Sequence, residues 1–184
     1  MKKFLVFSVI GMLVIVILVM TVAYLRLKEE KSHSPEDQIV FHQDDLTITV
    51  HYNRPSKKNR EIFGKLVPFD KVWRTGANEA TSFETNKDLT IEGSVLKAGK
   101  YSLWTIPGEE TWTVIFNSEH GQWGINSDGL ANRNPDKDVL KVDVLSVKQD
   151  REFEVFTIAF EKTGEDAEMV LIWDKTLVAV PFSD

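Results

Sequence analysis

Between residues 4 and 25 the chain runs 22 residues without a charge, most of them Val, Ile, Leu, Met and Phe. Such a run has few ways to fold. As a helix rising about 1.5 Å per residue it is roughly 33 Å long, which matches a bilayer hydrocarbon core of about 30 Å. Lys2 and Lys3 precede it, and Arg26, Lys28 and Lys31 follow it. The apolar region of a cleaved signal peptide is usually only about 7–15 residues long and ends in a small-x-small site. Here the run is longer and Thr21-Val22-Ala23 is a poor version of that site. The expectation is therefore a retained transmembrane anchor over 4–25 behind a cytoplasmic tail, 1–3. Basic residues on both flanks leave the positive-inside rule undecided. A very short N-terminal tail usually stays inside, which places the bulk of the chain outside the cytoplasm, periplasmic or at the cell surface. No Asn-x-Ser/Thr site bears on this.

Residues 26–38 read as a charged linker, because 26–37 hold seven charged residues in twelve together with Ser32, Ser34 and Pro35. A single domain over 39–184 follows. It is long enough to bury about two-thirds of its unfolded surface.

In that domain the apolar period is two. Leu46, Ile48, Val50 and Tyr52 alternate with Thr47, Thr49 and His51; Leu140, Val142 and Val144 alternate with Lys141 and Asp143; Phe156, Ile158 and Phe160 alternate with Thr157 and Ala159. Residues 112–116, 169–173 and 176–180 are short apolar runs rich in β-branched and aromatic side chains. Turn signals separate them at Ala98-Gly99, Pro107-Gly108, Asp128-Gly129, Asn134-Pro135 and Thr163-Gly164. No stretch after Asp37 carries a long amphipathic helical pattern. The pattern predicts an all-β chain, an antiparallel β-sandwich of jelly-roll-like or barrel-like form, preceded by one transmembrane helix.

Composition excludes several classes. There is no cysteine, hence no disulfide, thiolate metal site or cysteine nucleophile. The net charge of −6 argues against a nucleic-acid binder, which needs a basic footprint. One segment departs from the strand pattern. Residues 54–79 carry seven Lys/Arg against three Asp/Glu, so +4, within a region 26–184 that sums to −8. A basic island in an acidic domain suits an anion, and the guanidinium groups of Arg54, Arg60 and Arg74 give bidentate contacts to carboxylate or phosphate. The plainer reading is a solvated loop whose arginines pair with carboxylates or lie over an aromatic ring such as Trp73. Asn59 and Gly76 suit positive φ angles.

Motifs for catalysis are thin. There is no Gly-x-Ser-x-Gly, no His-Glu-x-x-His, no spaced acidic calcium loop and no phosphate-cradling glycine loop. Only His51 and His120 lie well inside the domain in sequence, so a triad has few possible bases. His51 with Glu79 or an aspartate could bind zinc, though a solvent-facing strand histidine accounts for it as well. Acidic residues abound for a glycosidase, but sequence does not pair two of them. No cofactor is implied. Trp112 and Trp173, inside apolar runs, read as core. Trp73, Trp104 and Trp123, near turns or strand ends, could instead offer an indole face to a sugar.

Several stretches resemble a known bacterial family, domain-of-unknown-function family 2911. They are Arg54-Pro-Ser-Lys-Lys-Asn-Arg60, Ile62-Phe-Gly-Lys-Leu-Val-Pro68, Lys71-Val-Trp-Arg-Thr-Gly-Ala-Asn-Glu-Ala80, Ala98-Gly-Lys-Tyr-Ser-Leu-Trp-Thr-Ile-Pro-Gly108, residues 112–117 and Gln122-Trp-Gly124. The resemblance covers about 39–182 and implies an exported or surface-exposed domain of no assigned activity. Asn59 stands where the family pattern has Gly, and Phe69-Asp70 where it has Tyr-Gly; Asn and Asp both tolerate the left-handed region.

Three functions remain open. The first is a non-enzymatic binding module for an anionic or saccharide ligand, using Arg54, Arg60, Arg74, Asn78 and Glu79 with Trp104 as a wall. The second is an envelope structural or interaction domain in which those residues form a buried polar network. The third is a hydrolase built on Glu79 and His51. Burial of these side chains discriminates between the first two.

Overall fold

The computed structural model describes residues 2–164 and 166–184; of residues 2–6, 8, 9, 27 and 30 it describes the backbone alone. The chain divides into two compact units, Met1–His33 and Ser34–Asp184.

The first unit is one α-helix, α1 (Lys2–Ser32). It forms where the apolar run predicts a helix and continues through the charged residues behind it. Among the described residues no helix is long and apolar enough to cross a membrane. The span expected over 4–25 falls partly on side chains outside the described residues, which run without a break only over 10–26.

The second unit is antiparallel β-sheet. Its strands are β1 (Glu36–Gln43), β2 (Leu46–Asn53), β3 (Thr81–Thr85), β4 (Leu89–Ile91), β5 (Ser94–Leu96), β6 (Gly99–Ile106), β7 (Thr111–Asn117), β8 (Asp138–Thr163) and β9 (Asp166–Ser183). Hydrogen bonding joins them in the order β1-β2-β3-β6-β7-β8-β9-β4-β5, a sheet that does not close. The expected linker 26–38 is divided between the helix end, a turn and the start of β1, where Glu36, Asp37 and Gln38 already pair with Asn53, Tyr52 and His51.

The strands form where the period-two pattern puts them, because one face of each meets a common core. In β2 Leu46, Ile48 and Val50 are buried while Thr47 and Thr49 are only partly so. The first part of β8 buries Leu140, Val142 and Val144 and exposes Lys141 and Asp143. Strands from both ends of the sheet order contribute to the same core. Phe41 of β1 stacks on Phe160 of β8 at 5.1 Å and meets Phe182 of β9 edge-on at 5.8 Å. The backbone N–H of Ile158 in β8 donates to the Tyr52 hydroxyl of β2 at 3.1 Å. At the centre Phe63, Trp73, Trp112, Phe156 and Trp173 form an aromatic cluster in which Trp73 stacks on Trp173 at 6.0 Å.

Strands β6 and β7 are buried on both faces, which is why residues 112–116 read as a continuous apolar run. The loop between β2 and β3 covers the second face. Trp73 exchanges backbone hydrogen bonds with Thr105 at 2.7 and 3.0 Å and so takes the neighbour's place on β6 beyond Thr81, the first residue of β3. A smaller cluster of Ala80, Trp104 and Ile115, flanked by Val72, Ile106 and Ala131, lies beneath that loop.

Candidate functional site

The basic segment does not assemble as one site. Its arginines go to three different places. Arg54 is a clamp: its guanidinium pairs with Asp37 at 3.2 Å, donates to the Thr157 hydroxyl at 3.0 Å and to the Phe156 carbonyl at 3.4 Å. It therefore ties the start of β1 to β8. Arg60 folds back on its own loop and donates to the carbonyls of Lys57 and Ser56. In the same loop Lys57 reaches Asp174 at 2.7 Å and Glu152 at 2.9 Å. The expected left-handed positions appear at Asn59 and at Asp70, with φ of 58° and 59°. At Gly76 a β-carbon would stand 2.9 Å from the Asn53 carbonyl, so only glycine fits the close approach to β2.

Arg74 is different. Its stem lies flat on Gly124, where a β-carbon would come within 2.0 Å of the Arg74 Cδ. Its Nε is closed to solvent and has no hydrogen-bond partner. Burial pushes its pKa below the usual arginine value, yet an arginine stays charged at neutral pH. The side chain borders a small cavity of about 150 Å³, with Lys71, Val72 and Ile125 among the other walls.

Trp104 is not a ligand wall. It is fully buried, and its indole N–H donates to Ser102 Oγ at 2.7 Å, which in turn donates to the Glu119 carbonyl at 2.6 Å. The apolar pattern placed this residue near a strand end, but the overlying loop closes its second face. Trp73, Trp112 and Trp173 are core as well, while Trp123 is half-buried beside Glu79, with which it forms a β-bridge.

Asn78 and Glu79 belong to a polar relay. Asn78 is buried with φ of 56°, and its amide donates to Asn53 Oδ1 at 3.1 Å and to the Ser34 carbonyl at 3.4 Å. The Asn53 amide donates to Glu79 Oε2 at 3.2 Å. Glu79 then borders an open cleft of about 330 Å³ whose other polar walls are Glu36, His51, Asn53, Ser82, Lys100 and His120. Alternation places these side chains. His51 pairs with Ser82 across β2 and β3, on the face opposite buried Val50, Tyr52 and Phe83. His120 comes from the turn after β7. Sequence reasoning missed Glu36, Asn53, Ser82 and Lys100, and weighed His120 only as a possible base rather than as a neighbour of Glu79. The period marks which of them point away from the core, but the adjacency of β3 and β6, and the return of the turn after β7, are long-range features.

The cleft mixes carboxylate acceptors with amide, hydroxyl and ammonium donors. It can form many hydrogen bonds to a polar molecule of modest size. Among the described residues no group of three or more His, Asp or Glu is placed to hold a metal.

The class is thus an antiparallel β domain with an open polar cleft of mixed charge on the outer face of its sheet. The chain belongs to the DUF2911 family, described as proteins of unknown function, whose family model matches residues 34–182. Comparison with curated proteins and with solved structures finds no match.

Proposed function

We propose that this protein is a membrane-tethered, non-enzymatic binding module whose cleft at Glu79 holds a small polyhydroxyl ligand of the saccharide class. The observation that carries the reading is the cleft's balance of donors and acceptors. A sugar hydroxyl donates and accepts at once, so a wall offering Glu36 and Glu79 beside Asn53, Ser82 and Lys100 suits it. An anion would meet two carboxylates there. The remainder of the reading is architectural. The open sheet folds over a shared core as a two-layered sandwich, and α1 serves as the anchor that holds it on the outer side of a membrane. Large apolar side chains from Ile10 to Leu25 stand exposed around α1, from 44% at Val22 to 70% at Met12. A helix apolar all round is stable in lipid or in a core, not in water.

The test is a thermal-shift and NMR titration of the full chain in detergent with monosaccharides and disaccharides. At least one sugar is expected to raise the melting temperature saturably, and Lys100→Ala and Glu79→Gln are expected to weaken it about tenfold, the loss of one charge-assisted hydrogen bond. No stabilisation by any sugar rejects the reading.

A second reading, an envelope structural or interaction domain, is favoured by the relay from Ser34 through Asn78 and Asn53 to Glu79. In that case Glu79→Gln lowers the melting temperature and no ligand restores it.

A further inference from the structure

The cavity at Arg74 shares no wall with the cleft at Glu79. We infer that it is a second binding site, for a small organic carboxylate with an apolar tail.

The first ground is the guanidinium. Arg54 and Arg60 both have acceptors, whereas the Arg74 guanidinium has no hydrogen bond or ion pair among the described residues, and its Nε is sealed from water as well. A charge that is partly desolvated and unpaired is costly, by several times the worth of an ordinary hydrogen bond. Arginine cannot relieve this by losing its proton. An anion relieves it.

The second ground is how the side chain is held. The stem is fixed in the groove over Gly124, whose backbone N–H donates to the Asn78 carbonyl at 2.9 Å, so the guanidinium is presented by a braced loop rather than by a floppy chain. A pre-positioned planar fork matches a carboxylate.

The third ground is the character of the walls. Leu66, Val67, Val72, Ile125 and Ala131 contribute apolar side chains to a lining whose exposed surface is more polar than apolar, Lys71 adds a second cation, and no carboxylate is among the walls. Leu66, one of these walls, stands 44% exposed. A cavity of about 150 Å³ is the size that accepts one benzene ring. The ligand class that fits is therefore a monocarboxylate about as large as benzoate, with its charge on Arg74 and its ring or chain against Val72 and Ile125.

The experiment titrates benzoate into the full chain in detergent at pH 7, with its uncharged isostere benzamide and with inorganic phosphate. Empty micelles serve as the blank. Benzoate is expected to bind saturably and at least tenfold more tightly than benzamide, and phosphate to compete weakly. Arg74→Gln should weaken benzoate at least tenfold, and Lys71→Gln about threefold. If Arg74→Gln does not fold, the comparison of benzoate with benzamide on the unaltered protein still decides. Equal binding of benzoate and benzamide, no saturable binding of benzoate, or phosphate binding as tightly as benzoate each overturns the assignment.

Discussion

Arg54 looks in sequence like a member of a basic cluster, but its partners lie far along the chain, in Asp37, Phe156 and Thr157. Charge counts along a segment carry no information about such partners. That is why the basic island 54–79 was legible as a loop and illegible as three separate devices. Arg54→Ala should lower stability by about 1–2 kcal/mol, from the lost hydrogen bonds to β8 more than from the half-exposed ion pair. Thermal unfolding in low and high salt separates the two contributions. A loss that vanishes in high salt would assign the effect to the ion pair instead. Asp138 offers a prediction of a different kind. Its side chain is only 5% exposed, and burial by itself would raise its pKa. Hydrogen bonds from Lys141 and Asn117, with the charges of Arg133 and Lys141, outweigh burial and hold the carboxyl below the usual aspartate range. A depressed folded-state pKa gives stability that is present above the unfolded value of about 3.9 and lost as pH falls through the folded value. Melting temperatures between pH 6 and pH 2.5 should therefore fall more steeply for the wild type than for Asp138→Asn. Parallel curves would show that Asp138 is not linked to folding.

At the scale of elements, alternation located most strands but not their lengths or order. Residues 140–144 and 156–160 read as two separate alternating stretches, with the polar residues Lys148 to Glu152 between them. They are one strand, β8, whose pairing with β9 shifts register between Lys148 and Phe153 and again before Thr157. Bulges of this sort let a long strand bend while keeping both ends in the ladder, and no residue type announces them. The bend lets β8 pair with β7 at its start and face β1 and β2 with its second half. Tyr52 makes that second contact specific. Burial pushes its phenol pKa up, so the hydroxyl stays neutral and accepts from the Ile158 N–H. Tyr52→Phe leaves that buried N–H without a partner and should cost about 1–3 kcal/mol. In hydrogen exchange the Ile158 amide should lose protection more than its neighbours in β8. An unchanged exchange rate at Ile158 would mean the hydroxyl contributes nothing to holding β2 on β8.

For the whole molecule, the division into helix and β domain was legible because it rests on two local signals, an uncharged run and a period of two. The cleft was not, since its walls come from β1, β2, the end of the loop before β3, β3, β6 and the turn after β7, and long-range pairing makes them neighbours. The anchor proposed for α1 is the feature that would most affect where such a cleft could act. Apolar residues at the centre of a bilayer each contribute roughly −0.3 to −0.6 kcal/mol for Leu, Ile, Val and Phe. Summed over the run 4–25 this favours insertion by several kcal/mol, whereas in water the same side chains would drive aggregation. In a bacterial host the full chain should sediment with membranes and resist an alkaline wash, while a chain beginning at Ser34, where the second compact unit starts, should be recovered soluble. Protease added to spheroplasts should digest the β domain and spare a cytoplasmic marker. Recovery of the full chain in the soluble fraction would remove the anchor from the reading. A membrane-bound domain protected from protease would keep the anchor and reverse its orientation, turning the cleft toward cytoplasmic ligands.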